Sequence, residues 1–117
     1  MTTYTDLAYL KDLTDNDDDL IAESLKRYLK SSPVGLERLQ KATAAKDWKE
    51  IHDSAHSLFS TTQIIGLTAI AQPLKDIQNN ATEINDIDAI EKDVQFIEQV
   101  ITASHTEVNE YLHQYEH

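Results

Sequence analysis

Asp47-Trp48-Lys49-Glu50-Ile51-His52-Asp53-Ser54-Ala55-His56-Ser57-Leu58-Phe59 reads as the opening turns of an amphipathic helix. Trp48, Ile51, Ala55, Leu58 and Phe59 recur at three- and four-residue intervals, which stacks them into one stripe at 3.6 residues per turn. Asp47 and Glu50 have capping-box spacing, in which the first side chain satisfies an orphan amide and the second reaches back to the cap. Gly66, ten residues beyond His56, ends the connection that follows. At about 100° per residue, His56 lies about 90° from the centre of the stripe, Ser60 further out and Phe59 close to it. The edge of the His56 ring is therefore expected to meet solvent.

The same periodicity extends outward in both directions and predicts five helices. A short one covers about Tyr4 to Leu13, with Leu7, Leu10 and Leu13 as its contacts. The acidic turn Thr14-Asp15-Asn16-Asp17-Asp18-Asp19 then suits a helix start by its caps and its charge. The next helix carries Leu20, Ile21, Leu25, Tyr28 and Leu29, and Ser32-Pro33 reads as an N-cap and first helical residue where it restarts or bends before Leu36, Leu39 and Ala42. After the helix of Trp48 comes one from Leu67 to about Asn80, with Leu67, Ile70, Leu74 and Ile77 and an expected kink at Pro73. The last repeats Ile87, Ile90, Val94, Ile97, Ile101 and Val108, roughly 40 Å at 1.5 Å per residue. No segment alternates with period two for long enough to be a strand. The expected fold is all-α: residues 1–117 form one domain, an up-and-down antiparallel four-helix bundle with a short additional N-terminal helix.

Composition excludes several classes of function. Glycine and proline number two each, which starves the loops of barrels and nucleotide-binding folds. Cysteine is absent, removing disulfides, thiol nucleophiles and thiolate metal sites together. A net charge of −11 repels nucleic acid and anionic membrane surfaces. No apolar run approaches the ~18 residues of a membrane span, and a cytoplasmic location is expected. The acidic turn lacks the glycine and distal glutamate of a calcium loop. His52 with His56, and His113 with His117, stand four apart as zinc-chelating pairs do, but a closed site needs about two further ligands; no metal is expected.

Taken together, Asp-Trp, then Ile, then Ala-His-x-Leu, then Gly ten residues after the His, then Ile or Leu at helical spacing, resembles a histidine-containing phosphotransfer (HPt) domain of two-component phosphorelays. The resemblance covers nearly the whole chain, including Leu7-Ala8-Tyr9-Leu10 with the acidic turn, the bend at Pro33 and the long final helix. It implies that His56 is phosphorylated by the aspartate of a response-regulator receiver domain and passes the phosphoryl group to another receiver. It further implies a monomeric phosphocarrier without kinase activity, working beside a hybrid sensor histidine kinase. No cofactor of its own is needed, because the receiver brings Mg²⁺. A neutral imidazole is a competent nucleophile near pH 7, and in-line phosphoryl transfer depends mainly on alignment and charge neutralisation.

Some members of that family carry Gln 22 residues after the His, and Gln78 matches; if helices three and four pair antiparallel, its amide can bond a ring nitrogen of His56. Lys75, one turn earlier, is placed to offer a point charge to a phosphate oxygen. Two positions depart from the family pattern. Phe59 stands where most members have Lys, and Ser60 where Gly is common. Phe59 either fills core or adds apolar area to the docking face, where Ser57, Ser60, Gln63 and Ile64 are also expected to meet the receiver. Gly66 is assigned a structural role as a helix stop. The alternative is an HPt-like module that docks a receiver or kinase, inhibiting or scaffolding without carrying phosphate.

Overall fold

Residues 3–116 are described by a computed structural model, and among them all regular structure is helical. The elements are α1 (Ala8–Leu13), α2 (Asp18–Ala45), α3 (Trp48–Gln63), a 3₁₀ turn (Thr68–Ile70), α4 (Ala71–Thr82) and α5 (Ile87–Tyr115). No helix among the described residues is long and apolar enough to cross a membrane.

Local chemistry explains where each helix starts and stops. The acidic turn caps α2 as expected, with Asp17 accepting from the amides of Asp19 and Leu20. The chain then runs unbroken through Pro33, and this corrects the expected restart. Proline forgoes one helical bond, but Pro33 is exposed, so water can serve the released carbonyl. Ser32 is not a cap at all; it is fully buried, and its hydroxyl shares a 2.7 Å hydrogen bond with His105 Nε2 on α5.

Lys46 ends α2 in the left-handed region (φ 54°), and the Asp47 amide closes back on the Ala42 carbonyl at 3.0 Å. That closure alters the capping box predicted for α3. Asp47 still accepts from the Glu50 amide at 3.2 Å, but its own N–H is already used, and the Glu50 carboxylate turns instead to Arg38 on α2. Pro73 falls in the first turn of α4, where its missing N–H would have had no helical acceptor, so the expected kink has no cause. Leu13 and Leu20, assigned to apolar stripes, are 64% and 47% exposed because each lies at a helix end that overhangs the core.

The helices join around one core that includes Leu25, Leu39, Ile51, Leu58, Leu74, Ile77, Ile90 and Ile97. Cross-helix pairs fix how neighbours run. Arg38 meets Glu50 and Gly35 faces Leu58 between α2 and α3; His56 meets Gln78 and Phe59 meets Lys75 between α3 and α4; Tyr28 meets Ser104 and Gln40 meets Glu98 between α2 and α5. In each case one partner advances while the other retreats. Among the described residues no buried side-chain nitrogen or oxygen lacks a hydrogen-bond partner, as a well-formed interior requires.

The segment before α1 is a non-helical strap, not the start of the helix predicted from Tyr4. Glu107 on α5 accepts from the Tyr4 and Thr5 amides and the Thr5 hydroxyl, and the Asp6 amide donates to the Ile65 carbonyl at 2.9 Å. Thr5 and Leu7 are buried by these contacts. The strap crosses Gly66 (φ 70°) so closely that a Cβ there would fall inside contact with the Asp6 carbonyl oxygen.

Candidate functional site

His56 stands in the third turn of α3, exposed, on a helix held by the burial of Ile51, Ala55 and Leu58 behind it. Its Nδ1 lies 3.2 Å from Oε1 of Gln78 on α4. An amide oxygen can only accept, so Nδ1 carries the proton and donates. In the neutral ring Nε2 then carries the lone pair. The Gln78 amide is itself oriented, because its Nε2–H donates to the Leu74 carbonyl at 3.3 Å. Half-buried Gln78 thus selects the tautomer of the neutral His56 ring.

One turn further along α3, the Phe59 ring packs against the edge of the core and its face receives the Lys75 ammonium, 5.4 Å from the ring centroid. Phe59 therefore fills the edge of the core and keeps one face for the Lys75 ammonium. The register that sets Gln78 against His56 sets Lys75 against Phe59, so the cation stands one turn from the imidazole. Beside Phe59 a small, almost wholly apolar notch of about 60 Å³ opens between Gln63, Gly66 and Ala71.

Of the other residues singled out from sequence, Ser57, Ser60 and Gln63 are exposed on the outer side of α3. Ile64 is not: it is half-buried against the core at the end of the helix, because the chain is already turning inward toward Ile65. Gly66 takes the left-handed conformation of a helix stop and, in addition, gives passage to the strap.

Sequence reasoning missed the partner of His52. Its Nδ1 donates to Asp53 Oδ1 at 3.0 Å, and its ring lies parallel to that of His56 within 2°, centroids 6.3 Å apart. The His52 hydrogen bond holds the Asp53 carboxyl below its ordinary value, against slight desolvation, with Lys49, His52 and Arg38 adding positive potential. The adjacent His-Asp pair was visible in sequence, although neighbours on a helix do not normally face each other. Among the described residues no three His, Asp or Glu side chains converge as a metal site; His117 lies outside them, so the His113–His117 pair is not described.

The arrangement can offer an imidazole nitrogen of fixed tautomer at an open surface, with an ammonium one turn away. No curated protein and no solved structure matches the chain. The family model described as Hpt domain matches residues 23–114, which takes in α3, α4 and every residue of the His56 site, and the chain accordingly belongs to the Hpt domain family.

Proposed function

We propose that this protein is a phosphorelay intermediate in which His56 Nε2 accepts a phosphoryl group from a receiver-domain aspartate and returns it to the aspartate of another receiver. Family membership indicates a phosphotransfer role in two-component signalling. The observation that carries the finer reading is the His56–Gln78 hydrogen bond, which in the neutral ring puts the lone pair on Nε2 of an exposed side chain.

The transfer divides between the partners. The receiver contributes the acyl phosphate, Mg²⁺ and the groups that neutralise charge in flight. This chain contributes a positioned nucleophile: Nε2 attacks phosphorus, the aspartate carboxylate leaves, and Gln78 Oε1 keeps its hydrogen bond to Nδ1–H throughout. Lys75, seated on Phe59, supplies the positive charge that a phosphoryl group on an acidic molecule requires. Ser57, Phe59, Ser60 and Gln63 form the docking face, with Ile64 at its margin. The notch beside Phe59 suits one apolar side chain of the receiver. Transient association through a small mixed surface is what a carrier needs. We read the helix pairing as an up-and-down four-helix bundle with α1 added, acting as a cytoplasmic monomer beside a hybrid sensor kinase.

The replacement of Lys by Phe59 favours one competing reading, a module that docks receivers without accepting phosphate. Receiver-to-protein transfer separates the two. The relay predicts acid-labile label on the parent and none on His56→Gln. Binding without label on either protein identifies the docking module.

A further inference from the structure

We propose that His52 is a second phosphoryl acceptor on α3, serving low-molecular-weight acyl phosphates rather than a docked receiver. Two imidazoles one turn apart present the same nitrogen for the same reason: each donates its Nδ1–H to an oxygen that can only accept, Asp53 Oδ1 for His52 and Gln78 Oε1 for His56. In the neutral ring each therefore carries its lone pair on Nε2, and the His52 side chain is 41% exposed. The rings are parallel, so neither blocks the other's edge.

The oxygens differ in what they can do next. Attack by Nε2 on an acyl phosphate forms the N–P bond, breaks the P–O bond and releases the carboxylate, leaving the ring positively charged with its proton still on Nδ1. At His56 the partner of that cation is a neutral amide. At His52 it is the Asp53 carboxylate, which stays ionised, because its carboxyl lies below the ordinary value, and pairs with the phosphorylated imidazolium. Lys49 and Arg38 act on Asp53, so an incoming phosphoryl anion meets positive charge as well as negative.

A receiver docked to deliver phosphoryl to His56 would have to shift by a full turn, about 5.4 Å, to reach His52. A small donor faces no such constraint. This inference goes beyond the relay reading and does not depend on it.

The test uses the whole chain with acetyl phosphate as donor, and locates phosphohistidine by fragmentation mass spectrometry at neutral pH. His113, exposed on α5, is the internal control. His52 should label at least about tenfold faster than His113, the scale of one charge-assisted hydrogen bond to the developing imidazolium. The label should persist in His56→Gln, and Asp53→Asn, which can hold Nδ1–H but carries no charge to pair with the imidazolium, should remove most of the advantage. Equal rates at His52 and His113, or indifference to Asp53→Asn, overturn the proposal. Label at His52 with no transfer from a phosphorylated receiver upholds it and removes the relay; the reverse removes this proposal alone.

Discussion

Gly66→Ala should destabilise the fold far more than a one-carbon change at a turn ordinarily does. Gly66 has φ 70°, and an added Cβ would press on the Asp6 carbonyl oxygen while lying only 3.0 Å from Asp6 Cβ and N. The left-handed conformation costs an L-residue about 1–2 kcal/mol. Relieving the clash means lifting the strap and losing the Asp6 N–H to Ile65 bond, about 1 kcal/mol more. The total is about 2–3 kcal/mol, which at a urea slope of ~1–3 kcal/mol/M lowers the midpoint by about 0.7–3 M. Equilibrium unfolding followed by far-UV circular dichroism measures it directly. Gly66→Asn separates the two contributions, since Asn tolerates positive φ but keeps the Cβ; it should recover about 1 kcal/mol and no more. A Gly66→Ala protein within ~0.5 kcal/mol of the parent, the range of unremarkable surface changes, would refute the reasoning.

Gln78→Leu should leave stability nearly unchanged but slow phosphoryl uptake about 2- to 10-fold, the factor carried by a hydrogen bond of ~0.5–1.5 kcal/mol that selects the Nδ1–H tautomer; ¹⁵N shifts of the His56 ring should show the proton redistributing. Lys75→Met should shorten the lifetime of the phosphorylated protein, and adding Phe59→Lys should restore it; an unchanged lifetime would remove Lys75 from the site. Glu107 is pushed up by partial burial, but hydrogen bonds from Thr5 Oγ–H and the Thr5 and Tyr4 amides pull it lower still, so its carboxyl lies below the ordinary value. A depressed acid stabilises the fold above its unfolded pKa and loses that contribution as pH falls through the folded one. Glu107→Gln should therefore reduce the loss of stability between about pH 5 and pH 3 relative to the parent, which acid titration of the unfolding midpoint will show.

The apolar stripes and the caps Asp17 and Asp47 carried most of the architecture into the sequence, because helix period and capping are local. What escaped was set by tertiary context. Nothing near Ser32-Pro33 announces that Ser32 is bonded to a histidine 73 residues away, so the dipeptide read as a new helix start. Tyr4 to Leu7 has helical spacing, yet Glu107 offers the Tyr4 and Thr5 amides an alternative acceptor, and the segment is not helical. The candidate site was more legible than the fold details around it. His56 and Gln78 stand 22 residues apart on paired helices, and the resemblance had drawn attention to both. The seat of Lys75 on Phe59 was not foreseen, since an aromatic on a stripe gives no sign that one of its faces stays open.

The central claim is that His56 carries phosphate between receivers. Its most direct measurement is the time course of labelled phosphoryl transfer from a phosphorylated receiver to the parent protein and to His56→Gln, scoring label that is lost in acid and kept in alkali. The account predicts label on the parent, its return to a second receiver, and none on His56→Gln. Transfer to His56→Gln at the parental rate, or a parent that binds receivers and never acquires label, would contradict it.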